Sequence, residues 1–155
     1  TTRVGNGPFP TELHDEMGDR IRDIGHEYGA TTGRPRRCGW LDAVILRMAE
    51  RINGLTSIAV TRVDILDQLE ELKICTHYTR NGQRVDHFPA DLNVLAECVP
   101  VYETVPGWQA DTTKCRTYDS LPENAKGYLK RIQELSGVRI SIVSVGPDRA
   151  ATIFV

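Results

Sequence analysis

The fold is decided by the segment Ser57-Ile58-Ala59-Val60-Thr61-Arg62-Val63-Asp64, which is apolar on both alternations until its last residues. A strand that is apolar on both faces is typical of a parallel sheet covered by helices on both sides. Polar residues appear where this strand ends, and ligands bind beyond the carboxyl ends of strands in open α/β sheets. A second segment of this kind, Val138 to Val143, runs into Ser144-Val145-Gly146. We therefore predict an α/β fold with a mostly parallel sheet flanked by helices and a ligand site at its edge.

Three apolar stripes at helical spacing predict the helices that cover this sheet. They run from Asp15 to Gly29, from Leu41 to Asn53 and from Ala125 to Gly137, and residues 120–123 before the third form a capping-box pattern. Two shorter strand patterns flank Asn81-Gly82, a dipeptide that favours a two-residue hairpin turn. The sequence contains no internal repeat and no low-complexity segment. We therefore predict a single region over residues 1–155 with a small β-hairpin extension.

The composition excludes several classes of function. The chain has 155 residues, of which 40% are hydrophobic and 26% charged, with a net charge of −2. It therefore reads as globular and lacks the broad basic surface of a nucleic-acid-binding protein. No apolar run approaches the roughly 20 residues that a membrane helix needs. Four cysteines and four histidines are scattered without metal-ligand spacing, which favours reduced thiols in the cytoplasm and predicts no metal site. The chain opens at Thr1 without an initiator Met, and we expect it to be part of a longer protein.

A basic loop is the first candidate site, with the sequence Gly29-Ala30-Thr31-Thr32-Gly33-Arg34-Pro35-Arg36-Arg37. The proline disfavours a helical conformation at the residue before it, and the two glycines permit backbone angles closed to other residues. Three guanidiniums within four positions match carboxylate or phosphate oxygens bidentately. The loop is therefore a candidate anion site, and the alternative is a solvated basic loop whose like charges spread in water.

The second candidate site combines the two strand ends. A carboxylate in a partly desolvated pocket, such as that of Asp64, can accept two hydrogen bonds from the N1–H and amino edge of guanine, and adenine offers no such pair of donors. The long cationic side chain of Arg62 can lie across the purine face. Backbone N–H groups around Ser144 and Gly146 can meet the guanine carbonyl oxygen. A strand-terminal Asp is more often a turn residue, so the hypothesis depends on both strand ends lying together.

The sequence resembles the adenylosuccinate synthetase family, whose members make adenylosuccinate from IMP and aspartate at the expense of GTP. The resemblance covers essentially all 155 residues. Its specific motifs are Gly7-Pro8-Phe9-Pro10-Thr11-Glu12-Leu13, the basic loop, Cys38-Gly39-Trp40-Leu41-Asp42, Pro100-Val101-Tyr102-Glu103 with Pro106-Gly107-Trp108, and Ser144-Val145-Gly146-Pro147-Asp148-Arg149. The resemblance implies a fold like that of the P-loop NTPases. It also implies that this chain is about the C-terminal third of the family's enzyme.

The resemblance also implies roles for individual residues. The aspartate substrate would be bound by Ala30, Thr31, Thr32, Gly33, Arg34, Pro35 and Arg36, and IMP by Val4 and Arg34. GTP would be bound by Arg36 at its phosphates and by Arg62, Val63, Asp64, Ser144, Val145 and Gly146 at its base. Arg62 stands where this family usually carries lysine. Because a planar guanidinium can still stack on a base, we expect altered affinity with specificity retained.

The catalytic groups implied by the resemblance are absent from this sequence. The glycine-rich phosphate loop, the catalytic aspartate and histidine, and the Mg²⁺ ligands would lie upstream of Thr1, and the intact enzyme would be a cytoplasmic homodimer. We therefore expect this GTP-dependent ligase fragment to be inactive alone, with no catalytic residue of its own. Two alternatives remain open at this point. One is a freestanding, non-catalytic guanine-nucleotide-binding module, and the other is a structural α/β domain whose basic loop binds an acidic patch on a protein partner.

Overall fold

A computed structural model describes all the residues of the chain, 1–155. Its chain contacts group into two units, the first formed by residues 1–48 and 73–103 and the second by residues 49–72 and 104–155. The chain passes between them inside regular elements, namely helix α2 (Ala43–Asn53), strand β5 (Glu71–Arg80) and strand β7 (Val99–Pro106). Because the crossings lie within helices and strands, no linker composition marks them in the sequence.

The first unit contains two small sheets and two further helices. Strand β1 (Thr2–Arg3) pairs antiparallel with β2 (Arg37–Cys38). Strand β5 pairs parallel with β3 (Leu41–Asp42), antiparallel with β6 (Gln83–Val85), and also with β7. The helices are α1 (Glu16–Ile24) and α3 (Leu92–Ala96). A buried cluster forms the core, comprising Val44, Cys75, Tyr78, Leu95 and Cys98.

The predicted hairpin is confirmed, but the first helix is shorter than predicted. Asn81 and Gly82 have φ of 51° and 75° between β5 and β6, as a two-residue hairpin turn requires. Helix α1 begins behind Asp15, whose carboxylate accepts from the Gly18 N–H, and it ends at Gly25 instead of Gly29. His26 follows with φ of 47°, which no continuing α-helix can accommodate. Beyond it, the Glu27 N–H still donates to the Arg22 carbonyl of α1 at 2.9 Å, and Tyr28 forms an antiparallel bridge with Pro35.

The second unit contains a three-stranded sheet and the longest helix. Strand β8 (Ile140–Ser144) lies in the middle, parallel to β4 (Ile58–Val60) and antiparallel to β9 (Thr152–Phe154). Helix α4 (Glu123–Ser136) buries one face and ends at Gly137, which has a φ of 74°. The predicted capping box is wrong, because Ser120 belongs to a separate 3₁₀ turn and pairs with Thr117. Pro122 precedes the helix without a side-chain cap.

The mixed α/β class is confirmed, but the prediction of a mostly parallel sheet is wrong. Parallel pairing joins β3 to β5 and β4 to β8, whereas β1–β2, β5–β6 and β8–β9 are antiparallel. For β8 and β9, the physical reason is the length of the connection. Residues 145–151 join β8 to β9, and a parallel crossover needs a dozen residues or more. Strand β4 also lies at a sheet edge, so Ala59 is exposed and its neighbours are only half-buried. None of the helices is long and apolar enough to cross a membrane.

Candidate functional site

The predicted basic loop is the tip of a narrow hairpin in the first unit. The Arg36 N–H donates to the Glu27 carbonyl at 2.9 Å, and the Gly29 N–H donates to the Arg34 carbonyl at 2.8 Å. At the tip, the Gly33 N–H donates back to the Gly29 carbonyl at 2.8 Å. Gly33 has a φ of 64°, a conformation that disfavours residues with a Cβ. Because the backbone groups of the stem bond to each other, the loop residues 30–35 are left exposed.

A cavity of about 500 Å³ lies beside this hairpin, within the first unit. Its lining comprises Arg3, Val4, Gly5, Asn6, Gly29, Thr32, Arg34, Pro35, Arg36 and Arg37. The structure thus brings together five of the predicted substrate residues, namely Val4, Thr32, Arg34, Pro35 and Arg36. The others, Ala30, Thr31 and Gly33, do not line the cavity.

Among the first residues of the chain, sequence reasoning assigned Val4 to a substrate site but missed Arg3, Gly5 and Asn6, which line the same cavity. Arg3 adds a fourth guanidinium and donates to the carbonyls of Asn6 and Pro8. The register of β1 and β2 places Arg3 opposite Arg37. No local signal links these positions, because the pairing joins segments that are far apart in the chain.

Arg37 is a structural residue and not a free anion-binding group. Its Nε and Nη2 donate to the two carboxylate oxygens of Glu12 at 2.8 and 2.5 Å, and its Nη1 donates to the Gly7 carbonyl at 2.8 Å and the Gly5 carbonyl at 3.2 Å. The guanidinium also lies 5.5 Å from the centre of the Phe9 ring. The hydrogen bond from Arg37 lowers the pKa of Glu12 below its ordinary value. Arg37 therefore holds the glycine-rich segment that forms one wall of the cavity.

The guanidiniums of Arg34 and Arg36, the other two in the loop, differ in whether they have a partner within the chain. Arg36 forms an ion pair with Glu27 at 2.9 Å, and its side chain is 38% exposed. Arg34 bonds only through its backbone, from its N–H to the Thr32 hydroxyl at 3.4 Å and from its carbonyl to Gly29. Its guanidinium has all its donors available at the cavity wall. An anion entering the cavity can therefore pair with Arg34 directly and with Arg36 by sharing it with Glu27.

In the second unit, the two predicted strand ends lie together. The Arg62 N–H donates to the Ser144 hydroxyl oxygen at 2.8 Å, which joins the end of β4 to the end of β8. These strands are parallel, so their carboxyl ends meet at one edge. Arg62 has a φ of 60°, and this left-handed residue turns the chain into a 3₁₀ turn, Val63–Leu66. The turn presents Asp64 beside the Ser144 strand end.

Asp64 carries an unsatisfied acceptor. Its Oδ1 is buried and has no hydrogen-bond partner. Burial raises the pKa of Asp64 above its ordinary value of 3.8, while the nearby Arg62 charge acts in the opposite direction. Leaving a buried acceptor unpaired costs about 1–3 kcal/mol. A ligand that brings N–H donors to this oxygen recovers that cost, so the turn is suited to bind a donor edge.

Three other residues were predicted for this site, namely Val63, Val145 and Gly146. They can contribute to it only through their backbone groups or through the shape of its wall. Val63 and Val145 have 1% and 0% of their surface exposed, so their side chains belong to the core. The Val145 N–H already donates to the Ala151 carbonyl at 2.9 Å. A Cβ at Gly146 would lie 3.2 Å from the Ala151 Cβ, a tight contact. These residues shape the strand end beside Asp64 without offering side-chain donors.

No group of three or more His, Cys, Asp or Glu side chains in this structure is arranged to hold a metal ion.

Comparison with known proteins gives one consistent relationship. The family model described as adenylosuccinate synthetase matches residues 1–153. The adenylosuccinate synthetase of Ligilactobacillus salivarius is 57% identical over 152 residues, and that of Heliobacterium modesticaldum is 60% identical over 153 residues. These matches cover 98% and 99% of this chain but 35% and 36% of the relatives.

A solved structure agrees with this relationship. It is the structure of fully ligated adenylosuccinate synthetase from Plasmodium falciparum, which superposes with a TM-score of 0.96 at 41% identity. The match covers 100% of this chain and 38% of that protein. This chain thus spans about a third of the length of its relatives, and it belongs to the adenylosuccinate synthetase family.

Proposed function

We propose that this chain is the C-terminal substrate- and guanine-recognition region of an adenylosuccinate synthetase. The complete enzyme joins IMP and L-aspartate, consumes GTP, and releases adenylosuccinate, GDP and phosphate. Family membership supports this proposal, as does the fully ligated state named for the Plasmodium falciparum relative. Because the chain spans about 35% of its relatives, the whole reaction is a proposal for the complete protein.

The cavity of the first unit is proposed to receive the aspartate substrate and to contact IMP. Two carboxylates on a small amino acid need more than one cationic partner, and Arg34 and Arg36 both line the cavity. Thr32 lines the same wall and can donate its hydroxyl, while Val4 on the opposite segment offers an exposed apolar contact. The predicted roles of Ala30, Thr31, Gly33 and Pro35 in aspartate binding, and of Arg36 at the GTP phosphates, stay predictions.

The turn after β4 is proposed to read guanine, and one observation carries this part of the proposal. The buried, unpartnered Oδ1 of Asp64 lies on the turn that the Arg62–Ser144 bond ties to the neighbouring strand. Guanine presents two N–H donors on one edge, so it satisfies a carboxylate that adenine leaves unpaired. Arg62 would lie against the base, and Ser144, Val145 and Gly146 would border it.

The remaining parts of the proposal concern the complete enzyme. Mg²⁺ would be held by residues outside this chain and would neutralise charge on the phosphates. The same outside region would supply the phosphate loop, the catalytic aspartate and histidine, and the parallel strands of a P-loop-like sheet. The complete protein would be a homodimer in the cytoplasm that binds neither nucleic acid nor membrane.

The test is titration of the full-length protein with GTP and ATP, with Asp64→Asn as the variant. Asparagine replaces an acceptor oxygen with a donor amide, so we expect GTP to bind at least about tenfold more weakly, from the roughly 1–3 kcal/mol cost of an unmatched buried polar group. Unchanged GTP affinity in this variant would count against the guanine site. Equal binding of GTP and ATP by the unaltered protein would instead favour a structural domain without base recognition. GTP binding without synthesis of adenylosuccinate would favour a non-catalytic binding module.

A further inference from the structure

Asp67, a buried carboxylate, lies three residues beyond Asp64, the residue proposed to read guanine. Asp67 is 9% exposed and accepts three hydrogen bonds. Its Oδ1 accepts from the Trp108 indole N–H at 2.7 Å and from the Thr112 hydroxyl at 2.8 Å, and its Oδ2 accepts from the Thr112 N–H at 2.8 Å. A carboxylate with this many donors is held in one orientation.

Asp67 is joined to the turn that carries Asp64. The Asp67 N–H donates to the Asp64 carbonyl at 3.2 Å and closes the C-terminal end of that turn. At the other end, the Arg62 N–H donates to the Ser144 hydroxyl. A single 3₁₀ turn has poor hydrogen-bond geometry and little stability of its own. The direction in which the Asp64 carboxylate points therefore depends on these two anchors.

The segment that supplies the donors to Asp67 is itself held firmly. The Gly107 N–H donates to the Glu70 carbonyl at 2.7 Å, and the Gly107 carbonyl accepts from the Asn124 amide at 2.7 Å. A Cβ at Gly107 would lie 1.8 Å from the Leu69 carbonyl oxygen, so the two segments approach as closely as backbone allows. The Trp108 ring packs against Tyr128 with centroids 6.0 Å apart. The donors are therefore fixed before any ligand binds.

We propose that Asp67, gripped by Trp108 and Thr112, is a positioning residue that sets the guanine specificity of Asp64. This inference rests on the proposed guanine-binding role of Asp64. Releasing the downstream anchor lets the turn rotate, so the carboxylate meets the N1–H and amino donors of the base at a poorer angle. The contact most sensitive to that rotation is the one to the 2-amino group, because a hydrogen bond weakens steeply as it bends.

The experiment compares GTP with ITP, whose base lacks the 2-amino group, on the full-length protein. Titration gives the ratio of the two affinities, and thermal melts of the same samples give stability. Asp67→Asn places an amide donor among three donors, and Thr112→Val removes one donor while keeping the shape of the side chain. We expect each variant to reduce the preference for GTP over ITP by about three- to tenfold. The KM for aspartate and for IMP should stay within about twofold, because those contacts do not involve this turn.

Thr112→Ser is the matched control, because it keeps the hydroxyl donor, and it should retain the GTP preference. If Asp67→Asn does not fold, the inference is tested by comparing the GTP-to-ITP affinity ratio of Thr112→Val with that of Thr112→Ser. A lowered melting temperature with an unchanged GTP-to-ITP ratio in both Asp67→Asn and Thr112→Val would mean that Asp67 is merely structural and would overturn the inference. Asp64→Asn separates the two proposals. If it too leaves the ratio unchanged, the proposed guanine site is wrong and this inference fails with it. If it abolishes the preference while the other two variants do not, only the inference fails.

Discussion

Arg34 and Arg37 are three positions apart in one basic loop, yet substituting them is expected to impair different properties of the protein. Substituting each by methionine removes the guanidinium and keeps most of the apolar stem. Arg34→Met removes a group whose donors face the cavity without partners in the chain. Arg37→Met removes four hydrogen bonds that the folded chain makes to Glu12 and to two carbonyls. The first variant should lose ligand affinity, and the second should lose stability.

The magnitudes follow from these contacts. The Glu12 side chain is 12% exposed, so Arg37→Met leaves a carboxylate with little access to water and without its arginine partner; the exposed His14 imidazole, 3.6 Å away, is the other ion-pair partner of this carboxylate. We expect a loss of about 2–4 kcal/mol in the free energy of unfolding, from the cost of breaking a largely buried ion pair with charged hydrogen bonds. For Arg34→Met the free energy of unfolding should change by less than about 0.5 kcal/mol, as for other exposed substitutions. Its affinity for aspartate should fall by about ten- to a hundredfold, the value of a charge-assisted hydrogen bond.

The assay is urea unfolding of the full-length protein, followed by steady-state determination of the KM for aspartate. Arg51→Met is the matched control, because Arg51 is an exposed arginine on α2 that does not line the cavity. Arg51→Met should change neither the free energy of unfolding nor the KM for aspartate. The assignment of Arg37 is refuted if Arg37→Met unfolds like the unaltered protein while its KM for aspartate rises as much as in Arg34→Met. That result would mean that Arg37 binds substrate and that its bonds to Glu12 contribute little.

Two further predictions concern the second unit. Gly107→Ala should lower the free energy of unfolding by about 3 kcal/mol or more, because its Cβ would overlap the Leu69 carbonyl oxygen. Gly127→Ala should raise the free energy of unfolding by about 0.5–1 kcal/mol, because a Cβ at this position of α4 would meet open space. Chemical unfolding of the two variants measures both changes. The affinity for GTP should fall on acidification as Asp64 is protonated, and because burial raises its pKa above 3.8, the fall should begin at a higher pH than for an exposed Asp. The same raised pKa means that Asp64 stabilises the ligand-free fold at low pH and that this contribution is lost as pH rises through the folded pKa. Titrations with GTP across this pH range measure how the GTP affinity changes as Asp64 is protonated. Asp64→Asn is the control, because it lacks the carboxyl that titrates.

Local sequence chemistry predicted elements whose conformation depends on near neighbours. Asn81-Gly82 adopts positive φ at both positions of the hairpin turn, and Gly137 ends α4 in the left-handed conformation. The prediction failed where distant segments compete with local preference. Apolar spacing extended α1 to Tyr28, but residues near it pair across the hairpin, where the Arg36 N–H bonds to the Glu27 carbonyl. Tyr28 is consequently 38% exposed, outside the helix whose apolar face it was predicted to extend.

The sequence by itself determined which chemical groups this protein has available, namely a cluster of guanidiniums and a carboxylate beyond an apolar strand. Tertiary structure alone decided what each group does. Arg37 is occupied because Glu12, 25 positions away in the chain, lies against it, and Asp64 is aimed by a turn that Ser144 anchors from 82 positions beyond Arg62. The physical reason is that a hydrogen bond depends on the distance and angle between its atoms. Only the packing of remote segments brings such atoms within 3 Å, so which donors are engaged and which remain for a ligand is settled in space.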